Sequence, residues 1–283
     1  MRRSSCLVPV IIAFLAAGVL AGAAPSPGST SSSLCAAEPT AVAAPAGAAL
    51  QPKEILDRAV AALKDAGNIR ANVALEVWYP THYTSVIDLY ASPSGQERAD
   101  LTTTVNADRF KSLEVISGRI VWCEQDSPAG KLVTKIDLET IRKELAKDKN
   151  SFAALPGMGT SSLFDVASLA DLVDFNKAAE STLDGRKAFL LSGVLAAKYA
   201  EGKASLPAGA ADWYKTAVLY VGEDYMPLRI ELGRHGDVPY ARVDFKTIEK
   251  NVTVPAGAFD YAPPEDAEVV DSTQWALSEL KGK

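Results

Sequence analysis

The sequence has few of the residues on which metal centres and thiol chemistry depend. Its 283 residues include only two histidines, His82 and His235, and three cysteines, Cys6, Cys35 and Cys123. These counts exclude a multi-histidine metal site and a cysteine-rich zinc module. We therefore expect no metal and no cofactor.

The sequence motifs of the common enzyme classes are also missing. The chain contains no Gly-x-Ser-x-Gly, His-Glu-x-x-His, Walker or dinucleotide-binding glycine pattern. His82 lies in a predicted turn with no marked nucleophile or orienting acid, so a surface histidine is the simpler interpretation. We expect a protein that is not an enzyme, with an unrecognised hydrolase as a minor alternative.

Basic charge is scarce. The chain has 29 lysines and arginines against 35 aspartates and glutamates, a formal net charge of -6. Proteins that bind nucleic acid usually carry a positive surface for the phosphates, so this balance argues against such a partner.

The N-terminus has the pattern of an export signal. Arg2 and Arg3 precede an uncharged apolar stretch, and Ala21-Gly22-Ala23 matches the small residues that signal peptidase recognises. We predict a signal peptide over residues 1–23; an uncleaved membrane anchor is the alternative, because about 18 apolar residues can just span a bilayer. Cleavage would remove both arginines and change the net charge from -6 to -8.

The following segment, residues 24–50, is predicted to be a flexible linker. Ala, Pro, Ser, Thr and Gly make up 22 of its 27 residues, a composition that buries too little apolar surface to fold. Cys35 lies in this segment. After export Cys35 and Cys123 could form a disulfide or remain two free thiols, and the sequence does not decide between them.

Residues 51–283 are predicted to form a single domain that begins with a helix. Apolar residues recur at helical spacing over residues 52–66, and Gly67 ends the helix. Two further helices are predicted, at 138–147 after Asp137 as N-cap and at 162–173, with a terminal helix from Ser272. Predicted strands cover residues 69–79, 85–91, 111–116, 119–124, 131–136, 187–191, 214–221, 227–232 and 240–248, with a last one near Phe259.

This order predicts an α+β fold. Strands do not alternate with crossover helices, so a doubly wound parallel sheet is not expected. We predict one large, curled antiparallel sheet whose concave face is covered by helices. Incomplete packing between helices and a curled sheet would leave an apolar groove.

Three stretches resemble the periplasmic lipoprotein-carrier (LolA-like) superfamily. Residues 117–122, Ser-Gly-Arg-Ile-Val-Trp, are similar to its G-x-x-x-W strand, and residues 221–231 are similar to its hairpin. Residues 259–271 resemble its closing F-x-x-x-P-P-x-x-x-x-V pattern. The resemblance covers about residues 52 to 271.

The resemblance implies an unclosed half-barrel whose apolar cavity binds acyl chains of lipoproteins or other lipids. Relatives also include periplasmic sensors of stress signalling. In the carriers an arginine just before the G-x-x-x-W strand holds the helical lid closed. Here Asn106 takes that position and Arg109 is only a near neighbour, so this contact is not carried over.

We therefore expect an exported protein of the periplasm or cell envelope, tethered to the membrane if the signal is retained. It would bind acyl chains of a lipid or lipoprotein. The alternative is an envelope-tethered module that binds an envelope membrane protein without lipid transfer.

Cys123 is expected to point outward on its strand. The residues predicted to point inward and line the acyl site are Leu75, Val77, Leu89, Ile120, Trp122, Leu219, Ile230 and Val243.

Overall fold

The computed structural model describes residues 51–78, 81–127, 130–147, 166–201, 215–233 and 238–280. The predicted signal peptide and linker lie outside these ranges. Twelve strands account for most of the described chain. They are β1 Ile69–Val77, β2 Tyr83–Ala91, β3 Glu97–Val105, β4 Asp108–Ser117, β5 Ile120–Ser127, β6 Gly130–Asp137, β7 Val173–Leu183, β8 Arg186–Leu195, β9 Thr216–Gly222, β10 Pro227–Leu232, β11 Ala241–Lys250 and β12 Glu268–Asp271.

All twelve strands belong to one sheet, in the order β12-β6-β5-β4-β3-β2-β1-β11-β10-β9-β8-β7. Neighbouring strands are antiparallel except β12, which pairs with β6 in parallel. Strands β12 and β7 are the two ends of this order and do not pair with each other, so the sheet is not closed. The predicted unclosed half-barrel is confirmed, and the parallel edge strand is the one departure from an antiparallel sheet.

Three strands, β3, β7 and the short parallel strand β12, were not expected from the sequence. Strand β3 begins with Glu97, which is buried, and the charged Arg98 and Asp100 lie on its other face, so its apolar alternation is weak. Strand β7 is the last strand at one edge and is largely exposed. The strand predicted near Phe259 is wrong. Residues 256–259 form a turn, in which the amide of Ala258 donates to the carbonyl of Pro255 at 3.1 Å.

The described helices are α1 Pro52–Lys64, α2 Leu138–Leu145, α3 Val166–Leu172, α4 Ala197–Ala200 and α5 Thr273–Leu280. Asp137 caps α2 as predicted, because its carboxylate accepts hydrogen bonds from the amides of Glu139 at 2.9 Å and Thr140 at 3.2 Å. Helix α1 ends two residues before the predicted boundary. The predicted start of the third helix, at residue 162, lies outside the described residues. None of the helices in the described ranges combines the length and apolarity that a membrane span requires.

The helices form two groups on the sheet. Helices α1 and α3 contact each other and β7, whereas α2 contacts α5 and these two lie against β5 and β6. The first group shares a core with β1, β2, β3 and β7 to β11, and the second group shares a smaller core with β4, β5 and β6. The larger core of the sheet therefore packs with α1 and α3, and the smaller one with α2 and α5.

Candidate functional site

The two faces of the sheet differ in character. On β1 the side chains of Ile69, Ala71, Val73, Leu75 and Val77 are buried in the core shared with α1 and α3. We call this the helix-bearing face. The alternate positions of β1 lie on the opposite face and include charged groups that form ion pairs, such as Arg70 with Asp88 at 3.1 Å and Glu76 with Arg242 at 2.9 Å.

A row of cross-strand neighbours crosses the helix-bearing face. The strand register joins Leu191 to Leu219, Ile230, Val243 and Leu75, one residue from each of five adjacent strands. None of the five is more than 6% exposed. With strands about 4.8 Å apart, this apolar row is about 19 Å long. It is a continuous hydrocarbon surface perpendicular to the strands.

Six of the eight residues predicted to line an acyl site lie on this face and are buried in one core. They are Leu75, Val77, Leu89, Leu219, Ile230 and Val243. Four of them belong to the apolar row. Their role in binding stays a prediction.

Ile120 and Trp122 point the other way. Trp122 is in register with Val115, Arg98, Tyr90 and Arg70, which places it on the opposite face. There its ring lies 5.6 Å from the ring of Tyr261, in the segment that leads to β12. Both faces of β5 are covered in the fold, so alternation along this strand does not reveal which face bears the helices.

Helix α1 is connected to the β9–β10 turn by one long-range polar contact. Arg58 donates a hydrogen bond to the hydroxyl of Tyr225 at 2.5 Å, and its guanidinium carbon lies 5.2 Å from the centroid of that ring. This hydrogen bond raises the pKa of Arg58, with the nearby Glu54 adding to the effect. The Tyr225 ring also stacks on Phe189 of β8 at 5.7 Å. The contact therefore joins α1 to the sheet.

A second polar cluster connects α3 to α4. The carboxylate of Asp171 accepts hydrogen bonds from the ammonium group of Lys198 and from the hydroxyl of Tyr199, the latter at 2.8 Å. The bond from Lys198 is the main cause that lowers the pKa of Asp171. Both helices of the first group thus have a charged contact on their exposed side in addition to their buried apolar contacts.

One neutral polar pair lies within the apolar part of the helix-bearing face. The hydroxyl groups of Ser85 on β2 and Thr103 on β3 are 2.8 Å apart and hydrogen-bond to each other. They are 1% and 3% exposed. We call these two residues the hydroxyl pair. Sequence reasoning missed it because β3 was not predicted, so no pattern placed Thr103 beside Ser85.

Further along the same face lie Glu97, Glu114 and Cys123, all buried. The thiol of Cys123 is free and its sulfur lies 3.7 Å from a carboxylate oxygen of Glu114. Burial raises the pKa of Cys123 strongly, and the charge of Glu114 adds to this effect. Cys123 therefore points inward, against α2 and α5, which corrects the predicted outward orientation. This environment gives an unreactive thiol.

His82 lies at the surface, as predicted. His82 is hydrogen-bonded to Glu76 at 3.2 Å and stacks on Trp78. Its side chain is 59% exposed. No serine, threonine or cysteine side chain in the described ranges hydrogen-bonds to its ring, so this pair lacks a nucleophile. His235 lies outside the described residues. In the described part of the chain no group of three or more His, Cys, Asp or Glu side chains is arranged to hold a metal ion.

An open depression of about 560 Å³ lies along the solvent side of α1. Its described lining includes Lys53, Glu54, Asp57 and Arg58, whose side chains are all more than half exposed. These charges form ion pairs within the helix. The depression is therefore distinct from the apolar row, which lies on the other side of α1.

An unclosed sheet with helices on one face is the architecture of the LolA-like half-barrel. Solved structures similar to this chain include LolA superfamily proteins and outer membrane lipoprotein-sorting domains. One is a LolA superfamily protein from Nitrosomonas europaea, with 12% identity over 75% of this chain and 99% of that chain and a TM-score of 0.32.

Two further similar structures come from other bacteria. An uncharacterized conserved protein from Thermus thermophilus has 16% identity over 77% of this chain and 98% of that chain, with a TM-score of 0.47. MucB in the MucA/MucB complex of Pseudomonas aeruginosa has 16% identity over 74% of this chain, with a TM-score of 0.39, and this chain spans 60% of its length. No protein-family description and no curated protein matches the sequence.

Proposed function

We propose that this protein is an exported, non-enzymatic, carrier-like protein that holds acyl chains of a lipid or lipoprotein between its sheet and helices. The observation that carries the proposal is the apolar row from Leu191 to Leu75 on the helix-bearing face. Among the described residues, the helices packed in the same core are α1 and α3, of 13 and 7 residues.

Helices this short can be displaced from the sheet by a ligand. Isolated helices shorter than about 12–15 residues are marginal in water, so α1 and α3 depend on their apolar contacts with the sheet. An acyl chain lying on the apolar row would take the place of the helix side chains and give the row equivalent apolar contacts. Each buried methylene of the ligand contributes about 0.8 kcal/mol to the free energy of binding. Six of them contribute about 5 kcal/mol before the cost of ordering ligand and protein is subtracted.

The direct test is uptake of a fluorescent long-chain fatty acid by delipidated protein. We expect saturable binding, weakened several-fold by Val243→Thr, which puts a hydroxyl into the apolar row at nearly unchanged volume. Val86→Thr is the matched control, because Val86 lies on the opposite face and is 53% exposed. Absence of uptake of both the fatty acid and a lysophospholipid of equal chain length, by protein with a native circular dichroism spectrum, would refute the proposal.

Localisation is tested separately. We place the protein in the periplasm or cell envelope, and N-terminal sequencing of the exported protein is expected to show cleavage after Ala23. An intact N-terminus would instead support a membrane-tethered form. A mature protein retained in the cytoplasm would contradict export.

A second candidate function is binding of an envelope membrane protein without lipid transfer. The observation in its favour is the edge strand β7, Val173–Leu183, whose outer backbone groups are not paired with another described strand. An extended segment of a partner could add to this edge. This alternative predicts protection of the β7 amides from hydrogen exchange when solubilised envelope membranes are added, together with no fatty-acid uptake.

A further inference from the structure

The apolar row ends at the hydroxyl pair. Leu75, its last apolar member, is in register with Ser85, which is in register with Thr103. All three residues are buried. The same line of the sheet is therefore hydrocarbon over five strands and then carries two adjacent hydroxyl groups.

The hydroxyl pair has hydrogen-bonding capacity left over. Two hydroxyl groups carry two donor hydrogens, and the bond between Ser85 and Thr103 uses one of them. In the described part of the chain, neither side chain makes another hydrogen bond. A buried donor without an acceptor costs about 1–3 kcal/mol, and alanine and valine would fill the same space without this cost. The pair is thus a donor suited to an acceptor that enters the site.

Beyond the hydroxyl pair the face becomes more open. The next residue in the line is Phe110 of β4, which is half-buried. Beside it, Ser112 of β4 and Gln125 of β5 are also half-buried and on the same face. Exposure therefore increases along this line from β8 to β4, and polar side chains lie beside it on β4 and β5.

We propose that the hydroxyl pair binds the carbonyl oxygen of an acyl ester whose chain lies along the apolar row. The chain end points toward Leu191 on β8, and the head group extends over β4. This inference rests on the proposed function and deepens it, because it assigns the polar group of the ligand and the direction of the chain.

The surroundings favour a neutral ester over a free carboxylate. The hydroxyl pair is a neutral donor, and burying an ionised ligand carboxylate against a neutral donor costs more than burying an ester carbonyl there. The apolar row, about 19 Å long, matches the length of one long acyl chain. The ligand class is therefore a lipid with an esterified long acyl chain, and a lysophospholipid is the simplest probe of it.

The test compares two lysophospholipids of equal chain length, one with an ester-linked chain and one with an ether-linked chain that lacks the carbonyl. Wild-type protein is expected to bind the ester about two- to tenfold more tightly, the range that one net hydrogen bond supplies. The double variant Ser85→Ala/Thr103→Val is expected to bind both lipids with the affinity that wild type has for the ether. Its melting temperature should be unchanged or higher, since both polar partners are removed together.

The matched control is Thr84→Val/Thr104→Val. These two threonines are paired in register on the same strands but point to the opposite face, so the ester preference should persist. Equal binding of both lipids by wild type would overturn the inference and leave the proposed function intact. Failure of wild type to bind either lipid would overturn both. An ester preference retained by Ser85→Ala/Thr103→Val would assign the carbonyl to another site and overturn the inference.

Discussion

Tyr225 has a left-handed backbone conformation, with φ of 61°, and its hydroxyl accepts a hydrogen bond from Arg58 on α1. Bulky residues rarely adopt positive φ, and such strain is tolerated where the surrounding structure requires that geometry. Here the conformation directs the ring between Arg58 and Phe189. The β9–β10 turn thus holds the helix that covers the apolar core.

Loss of this contact is expected to loosen α1. In Arg58→Gln the cation–π contact disappears, and we expect α1 amides to exchange on the order of two- to fivefold faster, as measured by hydrogen exchange with mass spectrometry. Lys53→Gln is the control, because Lys53 lies on the same helix, is 84% exposed and forms its ion pair with Asp57 of the same helix. Equal exchange rates in wild type and Arg58→Gln would show that Tyr225 does not hold the helix.

Burial on only one face made parts of this fold predictable. The alternation from Ile69 to Val77 is clear because the opposite face of β1 is polar, and Asp137 identifies the start of α2 by its capping chemistry. The inward residues of β1, β9, β10 and β11 follow from this alternation.

Other features depend on contacts that one sequence does not reveal. Both faces of β5 are covered, so the orientations of Trp122 and Cys123 could not be read from alternation. The register that joins Val243 to Leu75 connects distant parts of the chain. The apolar row and the hydroxyl pair therefore become visible only in the assembled sheet.

The packing of β7 on β8 predicts a large effect at Gly193. A Cβ atom there would lie 2.5 Å from the carbonyl oxygen of Asp174 and 2.8 Å from Cα of Phe175. These are backbone atoms, which can move only if the edge strand shifts. We expect Gly193→Ala to lower the free energy of unfolding by roughly 1–3 kcal/mol in urea denaturation. Val194→Ala, at a position 48% exposed, should change it by less than about 0.5 kcal/mol.

Asp137 predicts an acid-dependent contribution to stability. The hydrogen bond from the Thr140 amide is the main cause that lowers its pKa, and the Glu139 amide and Arg119 add to it. A carboxylate with a lowered folded pKa stabilises the fold above its unfolded value of about 3.9, and this contribution disappears as the pH falls through the folded pKa. We expect Asp137→Ala to cost about 1 kcal/mol at pH 7 and progressively less below about pH 4.

The control for this cap is Asp137→Asn. Its amide oxygen still accepts the backbone hydrogen bonds but does not titrate, so its stability relative to wild type should increase on acidification. Urea denaturation of all three proteins between pH 7 and pH 2.5 measures the effect. A difference between wild type and Asp137→Ala that stays constant over this range would contradict the assignment.

Because Trp122 lies on the face opposite the apolar row, its substitution should lower stability without changing lipid binding. Trp122→Ala removes the contact with Tyr261 on the opposite face and is expected to cost roughly 1–3 kcal/mol of stability. It should leave the affinity for a fluorescent fatty acid unchanged. Leu219→Ala, in the apolar row, should reduce both. A loss of affinity in Trp122→Ala at temperatures where it is fully folded would place the acyl site on the other face.

Cys123 is expected to be unreactive in the native protein. Burial is the main cause that raises its pKa, ahead of the charge of Glu114, so the thiol is both protonated and inaccessible. We expect alkylation by iodoacetamide at pH 8, followed on the Cys123 peptide by mass spectrometry, to be on the order of a hundredfold or more slower than in guanidinium chloride. Glu114→Gln separates the two causes: it removes the charge but keeps the burial, so Cys123 should stay protected. Rapid alkylation in the native wild-type protein would mean that α2 and α5 open readily over this part of the sheet.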